Sequence, residues 1–286
     1  MTKRLNLLAA AVAVAFHAVP TANAQTTSFN SGSLGAAGNA TNTANVIAGL
    51  SGPLAAPGDF AVGYGGGART TLGYNPALNP AANQPFTIEF WAKPFATTND
   101  TVGPAPLFNR ISSGNRSGWV FFQRSPTTGW NFRMYDGNAG NLGFDLTGGT
   151  NGQDIWSHIV VVWNGISSVM FVNGTLADNT NDPLASGTYN ASNSATLSLG
   201  SYDDGANPFN GSVDEFAFYQ SALTPTQISS HFNTAASTTP NAYRDAVIAD
   251  GAVEYLQNIP EPSSALLLGL GMLGGALLKR HRRQQA

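Results

Sequence analysis

The sequence contains no cysteine, which at once excludes a disulfide framework, a thiolate zinc site and a cysteine nucleophile. Charge is also scarce: only 10% of the 286 residues are Asp, Glu, Lys or Arg, against about 25% in ordinary soluble domains. No basic stretch is interleaved with aromatics and no glycine-rich phosphate loop opens a helix, so nucleic acid is excluded as a partner. Long apolar stretches are confined to the two ends, Leu5 to Val19, broken only by Asn6 and His17, and Ser263 to Leu278. What is abundant is turn chemistry, with 32 Gly and 16 Pro, together with 10% aromatic residues. Such a chain is too apolar to be disordered and too rich in loops for a helical bundle, which leaves an all-β body.

The N-terminus reads as an address. Lys3 and Arg4 precede an apolar stretch from Leu5 to Val19, and Ala22-Asn23-Ala24 supplies the small residues a signal peptidase requires, so residues 1–24 are expected to be a signal peptide cut before Gln25. Export through a secretion translocon follows. At the other end, Pro260-Glu261-Pro262 leads into the apolar run Ser263 to Leu278 and then Lys279, Arg280, His281, Arg282 and Arg283. As a helix this run measures about 24 Å, a marginal transmembrane helix whose basic end stays cytoplasmic and leaves the body outside. The prolines hold the preceding chain extended, as a protease needs its substrate.

This order of triplet, glycine-containing apolar helix and arginine-rich end resembles the PEP-CTERM sorting signal, here over residues 260–283. The resemblance implies an exosortase as partner, cutting near the triplet of a protein held in the membrane until then and placed on the cell surface or secreted afterwards.

The body alternates with the period of a strand. Phe86, Ile88, Phe90 and Ala92 share one face, and Thr87, Glu89, Trp91 and Lys93 the other. Similar runs follow at Ser117–Arg124, Trp130–Tyr135, Ile155–Trp163, Ser168–Val172, Ala195–Leu199 and Ser212–Tyr219, with Asn164-Gly165 as a hairpin signal. One short helix is expected from Thr224 to about Thr234: Thr224 is the N-cap, Pro225 the first helical residue, and Gln227 completes a capping box, with Ile228 and Phe232 facing inward.

Phe86-Thr-Ile-Glu-Phe-Trp-Ala-Lys-Pro94, Trp156-Ser-His158, Phe171-Val-Asn-Gly174, Leu199-Gly200 and Phe209-Asn-Gly-Ser-Val-Asp-Glu-Phe-Ala-Phe-Tyr219 together resemble a laminin-G-like domain of the concanavalin A-like lectin/glucanase group. The resemblance implies a jelly-roll sandwich of two antiparallel sheets over residues 25–235, and binding rather than catalysis. Residues 236–259 are then a linker or a returning strand. Within them Tyr243 to Gln257 resembles the opening of a further repeat, with Val253 to Gln257 as its first strand; a mobile stalk is the alternative.

Glycoside hydrolysis needs two carboxyl groups at a defined separation, and the Glu-x-Asp-x-x-Glu strand of related glucanases is missing. Asp214 and Glu215, adjacent on a strand, are expected to point to opposite faces. Only His158 and His231 remain between the two addresses, and His158, like Glu89, reads as a core residue. The resemblance implies one structural calcium ion at Asp214, completed by oxygens of an N-terminal loop for which Asn39, Asn42 and Asp59 are compositional candidates; otherwise Asp214 bonds a strand end or a turn. For a glycan, aromatic faces beside polar groups point to Tyr202, Asp203, Asp204, Trp119 and Arg116, with Tyr202 foremost, while Trp130, alternating with Phe132 and Met134, reads as core.

Three functions stay open in this order: a glycan-binding protein of an exopolysaccharide or biofilm matrix, a structural or adhesion protein with no sugar pocket, and a glycosidase. Residues 25–259 carry 15 acidic against 7 basic side chains, a net of −8, which favours neutral glycans and cations over anionic polymers.

Overall fold

A computed structural model describes residues 27–257 apart from 100–102, 112–113 and 139–140. The cleavage residues Ala22, Ala24 and Gln25, the triplet Pro260, Glu261 and Pro262, and the expected transmembrane helix lie outside the described residues. Among the described residues, no helix is long and apolar enough to cross a membrane.

In chain order the strands are β1 (Thr27–Ser28), β2 (Ala40–Asn42), β3 (Ile47–Ser51), β4 (Phe60–Tyr64), β5 (Thr70–Leu72), β6 (Phe86–Pro94), β7 (Leu107–Arg110) and β8 (Ser117–Gln123). They continue as β9 (Trp130–Asp136), β10 (Leu142–Gly148), β11 (Ser157–Trp163), β12 (Ser168–Val172), β13 (Thr175–Asp178), β14 (Leu197–Leu199) and β15 (Gly211–Tyr219). Two helices, α1 (Pro225–Thr234) and α2 (Ala242–Ala249), precede the last strand, β16 (Ala252–Leu256). The expectation of a single helix is thus corrected to two.

The strands form two antiparallel sheets, ordered β1-β2-β5-β14-β7-β8-β9-β10 and β13-β12-β11-β6-β15-β4-β3, with β16 also paired to β15. This is a two-sheet sandwich consistent with a jelly roll. The alternation along β6 sorts its side chains: Phe86, Ile88, Phe90 and Ala92 enter the core between the sheets, where they meet Trp119 and Phe121 of β8 and Trp130, Phe132 and Met134 of β9. Each such large apolar side chain contributes roughly 1.5–3 kcal/mol by burial, which makes this layer the main support of the fold. Asn164-Gly165 turns β11 into β12 with Gly165 at φ 93°, a left-handed conformation that glycine adopts without strain.

The opposite face of β6 is covered as well. Trp91 packs with Tyr219, Ile228, Tyr243 and Val247, so α1 and α2 lie across the outer face of the second sheet. The Thr224–Gln227 capping box starts α1 as the sequence predicts. Beyond α2 the chain returns as β16, held on one side by β15 and on the other by the N-terminal segment, where Ser31, Ser33 and Leu34 donate backbone hydrogen bonds to Tyr255, Ala252 and Val253.

Candidate functional site: an acidic seam and a ring–arginine ladder

Strand β15 pairs with β6 along most of its length, but its other neighbour changes halfway. Gly211 to Val213 pair with Tyr64 to Val62 of β4, and Phe216 to Tyr219 pair with Leu256 to Ala252 of β16. The start of β4 and the end of β16 therefore meet head-on, opposite Asp214 and Glu215. At this point β15 carries one extra residue against β6, since Asp214 faces Trp91 and Ala217 faces Glu89. Glu215 takes up the extra residue with φ 53°, a bulge that re-aims its side chain.

The bulge corrects the expectation that Asp214 and Glu215 point apart. A carboxylate oxygen from each, with one from Asp59 just ahead of β4, all lie within 4.8 Å of one another. Asp214 and Glu215 are buried and Asp59 is half-buried. The Leu54 N–H donates to Asp59 Oδ2 at 2.7 Å, fixing the loop that delivers this third acid. Gly52 backs the group, and a Cβ there would collide with oxygens of both Asp59 and Asp214.

Burial pushes Glu215 well above the usual carboxylate range, and the charges of Asp214 and Asp59 push it further. Burial raises Asp59 too, against the Leu54 hydrogen bond. Glu215 and Asp59 share a side-chain hydrogen bond, and Glu215 Oε2 and Asp59 Oδ1 are out of water. A hard cation that coordinates oxygens would relieve this arrangement, and ligand oxygens within 4.8 Å of one another match metal–oxygen distances of about 2.3–2.6 Å for Ca²⁺. The other compositional candidates lie elsewhere: Asn39 Oδ1 accepts the Asn30 N–H, and Asn42 Oδ1 accepts from Thr70 and Ser28. Beside Asp59 and Gln257 a cleft of about 100 Å³ opens toward Asn241, Tyr243 and Arg244 of the α2 region.

The residues expected to meet a glycan separate into two groups. Trp119 is 1% exposed and packs edge-on against Phe121 in the inter-sheet core, because its position on β8 points inward; it offers no ring face to a sugar. Trp130, fully buried, is core as read. Tyr202 and Arg116, by contrast, join one feature on the outer face of the first sheet. The Arg110 guanidinium carbon stands 4.8 Å from the Tyr202 ring and 5.1 Å from that of Tyr135, and Arg116 stands 5.7 Å from Tyr135. Rings and guanidinium groups thus alternate along the sheet. Arg110 Nη2 donates to the Tyr202 hydroxyl at 3.0 Å, and the half-buried Tyr202 ring packs 4.4 Å from Phe108. Burial raises the Tyr202 phenol and the Arg110 charge draws it back. In the same loop, Asp204 Oδ1 accepts the Ala206 N–H and the Gly205 N–H bonds the Tyr202 carbonyl, a tight turn that sets Asp203 and Asp204 beside the ring. Arg110, the centre of the ladder, is absent from the sequence reading; its place on a strand that has no clear alternation of its own hides it.

A second group missed at that level lies under the helices. Glu89 is completely buried and takes hydrogen bonds from His158 Nε2 at 2.8 Å, Tyr243 at 2.8 Å, Tyr219 at 2.8 Å and His231 Nδ1 at 3.0 Å. His231 Nε2 reaches Asp250 at 3.0 Å, so both its ring nitrogens face carboxylates and both carry protons. Burial alone would raise Glu89 and lower His231; the mutual contacts outweigh it, holding Glu89 far below and His231 above their ordinary values. The core reading of Glu89 and His158 agrees with this placement, while the role of His231 needs the docked helix to be visible.

A family model described as the concanavalin A-like lectin/glucanases superfamily matches residues 65–229, and a PEP-CTERM protein-sorting motif matches residues 258–283. The human adhesion G-protein coupled receptor D1 is 35% identical over 82 residues, which are 28% of this chain and 9% of the receptor. Among solved structures, the binding domain of botulinum neurotoxin DC in complex with rat synaptotagmin II aligns with a TM-score of 0.52 at 18% identity, covering 76% of this chain and 53% of that one. The same binding domain in complex with SialylT aligns with a TM-score of 0.50 at 19% identity, over 70% and 47%. At these identities the likeness is one of fold, and this chain spans about half the length of these two solved chains.

Proposed function

The chain belongs to the concanavalin A-like lectin/glucanases superfamily, and from that premise we propose that it is an exported, exosortase-sorted binding module that recognises neutral glycan and performs no catalysis. Export rests on the PEP-CTERM motif at 258–283. In this reading residues 1–24 direct secretion, the apolar run from Ser263 holds the protein in the membrane before processing, and the product takes its place in an exopolysaccharide or biofilm matrix.

The observation that carries glycan recognition is the Tyr202 ring, held half-exposed by Arg110 beside the Asp203-Asp204 turn. A ring fixed in this way can stack on sugar C–H groups while the turn supplies acceptors for hydroxyls. The net charge of −8 over residues 25–259 disfavours an anionic polymer. Related folds bear names that record both a glycan, SialylT, and a protein, synaptotagmin II. A matrix or adhesion protein without a sugar pocket is therefore the second reading, favoured by the burial of Arg110 and Tyr135, which leaves little of the ladder open. Hydrolysis is the weakest: Asp214 and Glu215, at 1% and 0% exposure, leave no space for a glycosidic bond between them.

In the same proposal Asp59, Asp214 and Glu215 hold one structural Ca²⁺, which supplies the positive charge their burial demands. The test is a glycan array with the full-length protein, with and without Ca²⁺. Saturable binding that is lost in Tyr202→Ala supports the lectin. No glycan bound, with matrix association intact, supports the structural role, and turnover of any polysaccharide overturns the absence of catalysis.

A further inference from the structure

On the outer face of the second sheet, beside the helices, a row of rings takes no part in the sites described above. The Trp91 ring stacks 5.9 Å from Phe232 of α1, and beyond them the Lys93 ammonium stands 5.0 Å from the Trp156 ring and 5.8 Å from that of Phe95. Phe95, Trp156 and Phe232 are half-buried. Against Trp91 and Phe232 lies an open apolar cleft of about 300 Å³, walled by Pro53, Leu54 and Ala235. The Ala55 N–H donates to the Ala235 carbonyl at 2.9 Å, which ties the loop to the end of α1 and holds the cleft in shape. Lys93 is the only lysine in residues 25–259, and no carboxylate pairs with it among the described residues. Aromatic walls beside a single cation suit an extended proline-rich segment that carries an acid.

The chain itself supplies such a segment close by. The sorting motif starts at 258, directly after Gln257. Leu256 pairs with Phe216, so Gln257 stands level with Glu215, toward which its amide N–H points at 3.5 Å, while Asp214 faces Trp91 on the other side of β15. One strand therefore separates Gln257 from Trp91, a distance of two inter-strand spacings or about 10 Å. Leu54 lines both the cleft that begins at Gln257 and the one over Trp91, so the two adjoin. Three residues of extended chain reach at most about 11 Å and five about 18 Å, enough to bring Pro260 to Trp91 and Pro262 past Lys93.

We propose that Pro260-Glu261-Pro262 docks in this cleft, with its prolines on the rings and the Glu261 carboxylate on the Lys93 ammonium, as an autoinhibitory contact between the sorting signal and the folded body. The dock needs neither the glycan nor the calcium reading. A protease that grips its substrate as a strand cannot take hold of a triplet seated against the body. Cleavage then waits until the triplet leaves the cleft, and the folded sandwich sets when sorting begins.

The test uses the full-length chain in detergent micelles, where the absence of native cysteine leaves only introduced pairs to be oxidised. Ala236→Cys with Pro262→Cys spans the cleft, and Ser31→Cys with Pro262→Cys is the reference. Ser31 is exposed and its N–H bonds the Tyr255 carbonyl, so it flanks β16 on the opposite side and is no farther from Gln257 than the cleft. The cleft pair is expected to close its intramolecular disulfide about tenfold faster than the reference, because docking raises the local concentration of one thiol at the other. Lys93→Glu is expected to remove most of that lead and a further Glu261→Lys to restore it, which a folding defect would not do. Equal rates in the two pairs, or a lead that Lys93→Glu leaves unchanged, would overturn the dock. Disulfide-linked dimers in place of the intramolecular bond would overturn it as well and give the cleft to the tail of a second copy.

Discussion

Glu254 gives a sharp test of how the C-terminal strand is docked. It lies on β16 opposite Phe218, with a fully buried carboxyl, and neither oxygen has a hydrogen-bond partner. Gly38 of the N-terminal segment backs it so closely that a Cβ there would collide with the carboxyl. Burial alone pushes this group up to about 8, so at neutral pH it is folded as a neutral acid. A folded-state value above the unfolded one means that the folded protein holds the extra proton; stability is therefore complete below the unfolded pKa of about 4.5 and is lost as pH rises through about 8. At 1.36 kcal/mol per unit, the upper bound on the loss across this window is about 5 kcal/mol, and about 3 kcal/mol of it falls before pH 7.

Glu254→Gln is neutral at every pH and removes this slope. Its amide, also unpartnered, costs about 1–3 kcal/mol, so the variant is expected to be the less stable protein at pH 5 and the more stable one at pH 8. Urea denaturation of both proteins at pH 5, 6, 7 and 8 measures the difference, and contributions of other titrating groups cancel in it. A difference that stays constant across the series would refute the argument, because it would mean that Glu254 is ionised or solvated in the folded state throughout.

Two further outcomes follow from the helical layer. His231→Gln removes the imidazolium between Glu89 and Asp250; because the folded pKa of His231 is raised, its contribution is complete below about pH 6.5 and fades as pH rises through the folded value, so the variant is expected to lose about 3–5 kcal/mol at pH 6 and less at pH 9 by chemical denaturation. Thr224→Ala removes the N-cap of α1 and half of its capping box and is expected to lower stability by about 1 kcal/mol at any pH, measured by thermal melting.

The central strands are legible from the sequence because they obey two rules together. Along β6 the alternation is unbroken over nine residues, and the Asn- and Pro-containing stretch 79–85 before it and the Thr-, Asn- and Asp-containing stretch 97–100 after it mark its limits. The short strands before it are not legible, because Ala40–Asn42 and Thr70–Leu72 have no hydrophobic period; they exist by pairing with each other, Thr41 to Thr71. Helix α2 escapes for a related reason. Its N-cap Asn241 sits at φ 62° and makes no side-chain cap, so no start signal is written, and what holds the helix is Tyr243 reaching Glu89 and Val247 packing in the outer layer. The candidate site divides in the same way. Asp214 can be picked out through the family resemblance and Tyr202 from residue type and position, but their partners Glu215 and Arg110 come from a bulge and a sheet face, which are long-range facts of pairing.

Among the described residues, three carboxyl groups or clusters are buried in this sandwich, and each stands in a different electrostatic setting. Glu89 is ionised and answered by His231 and three further donors; Glu254 is answered only by its own proton; Asp59, Asp214 and Glu215 stand too close together for all three to stay charged, and burial and its neighbours' charges raise Glu215. A buried charge that is not compensated costs several kcal/mol, so the differences must register in solution. Acid should attack the first by protonating Glu89, alkali the second by ionising Glu254, and removal of the proposed Ca²⁺ the third, each with its own variant to silence it. The second and third meet at β15, since Glu254 pairs opposite Phe218 on the strand that carries Asp214 and Glu215. Alkali and chelation together should therefore loosen β16 more than either alone, while the inter-sheet core, which contains none of these groups, holds the rest of the sandwich in place.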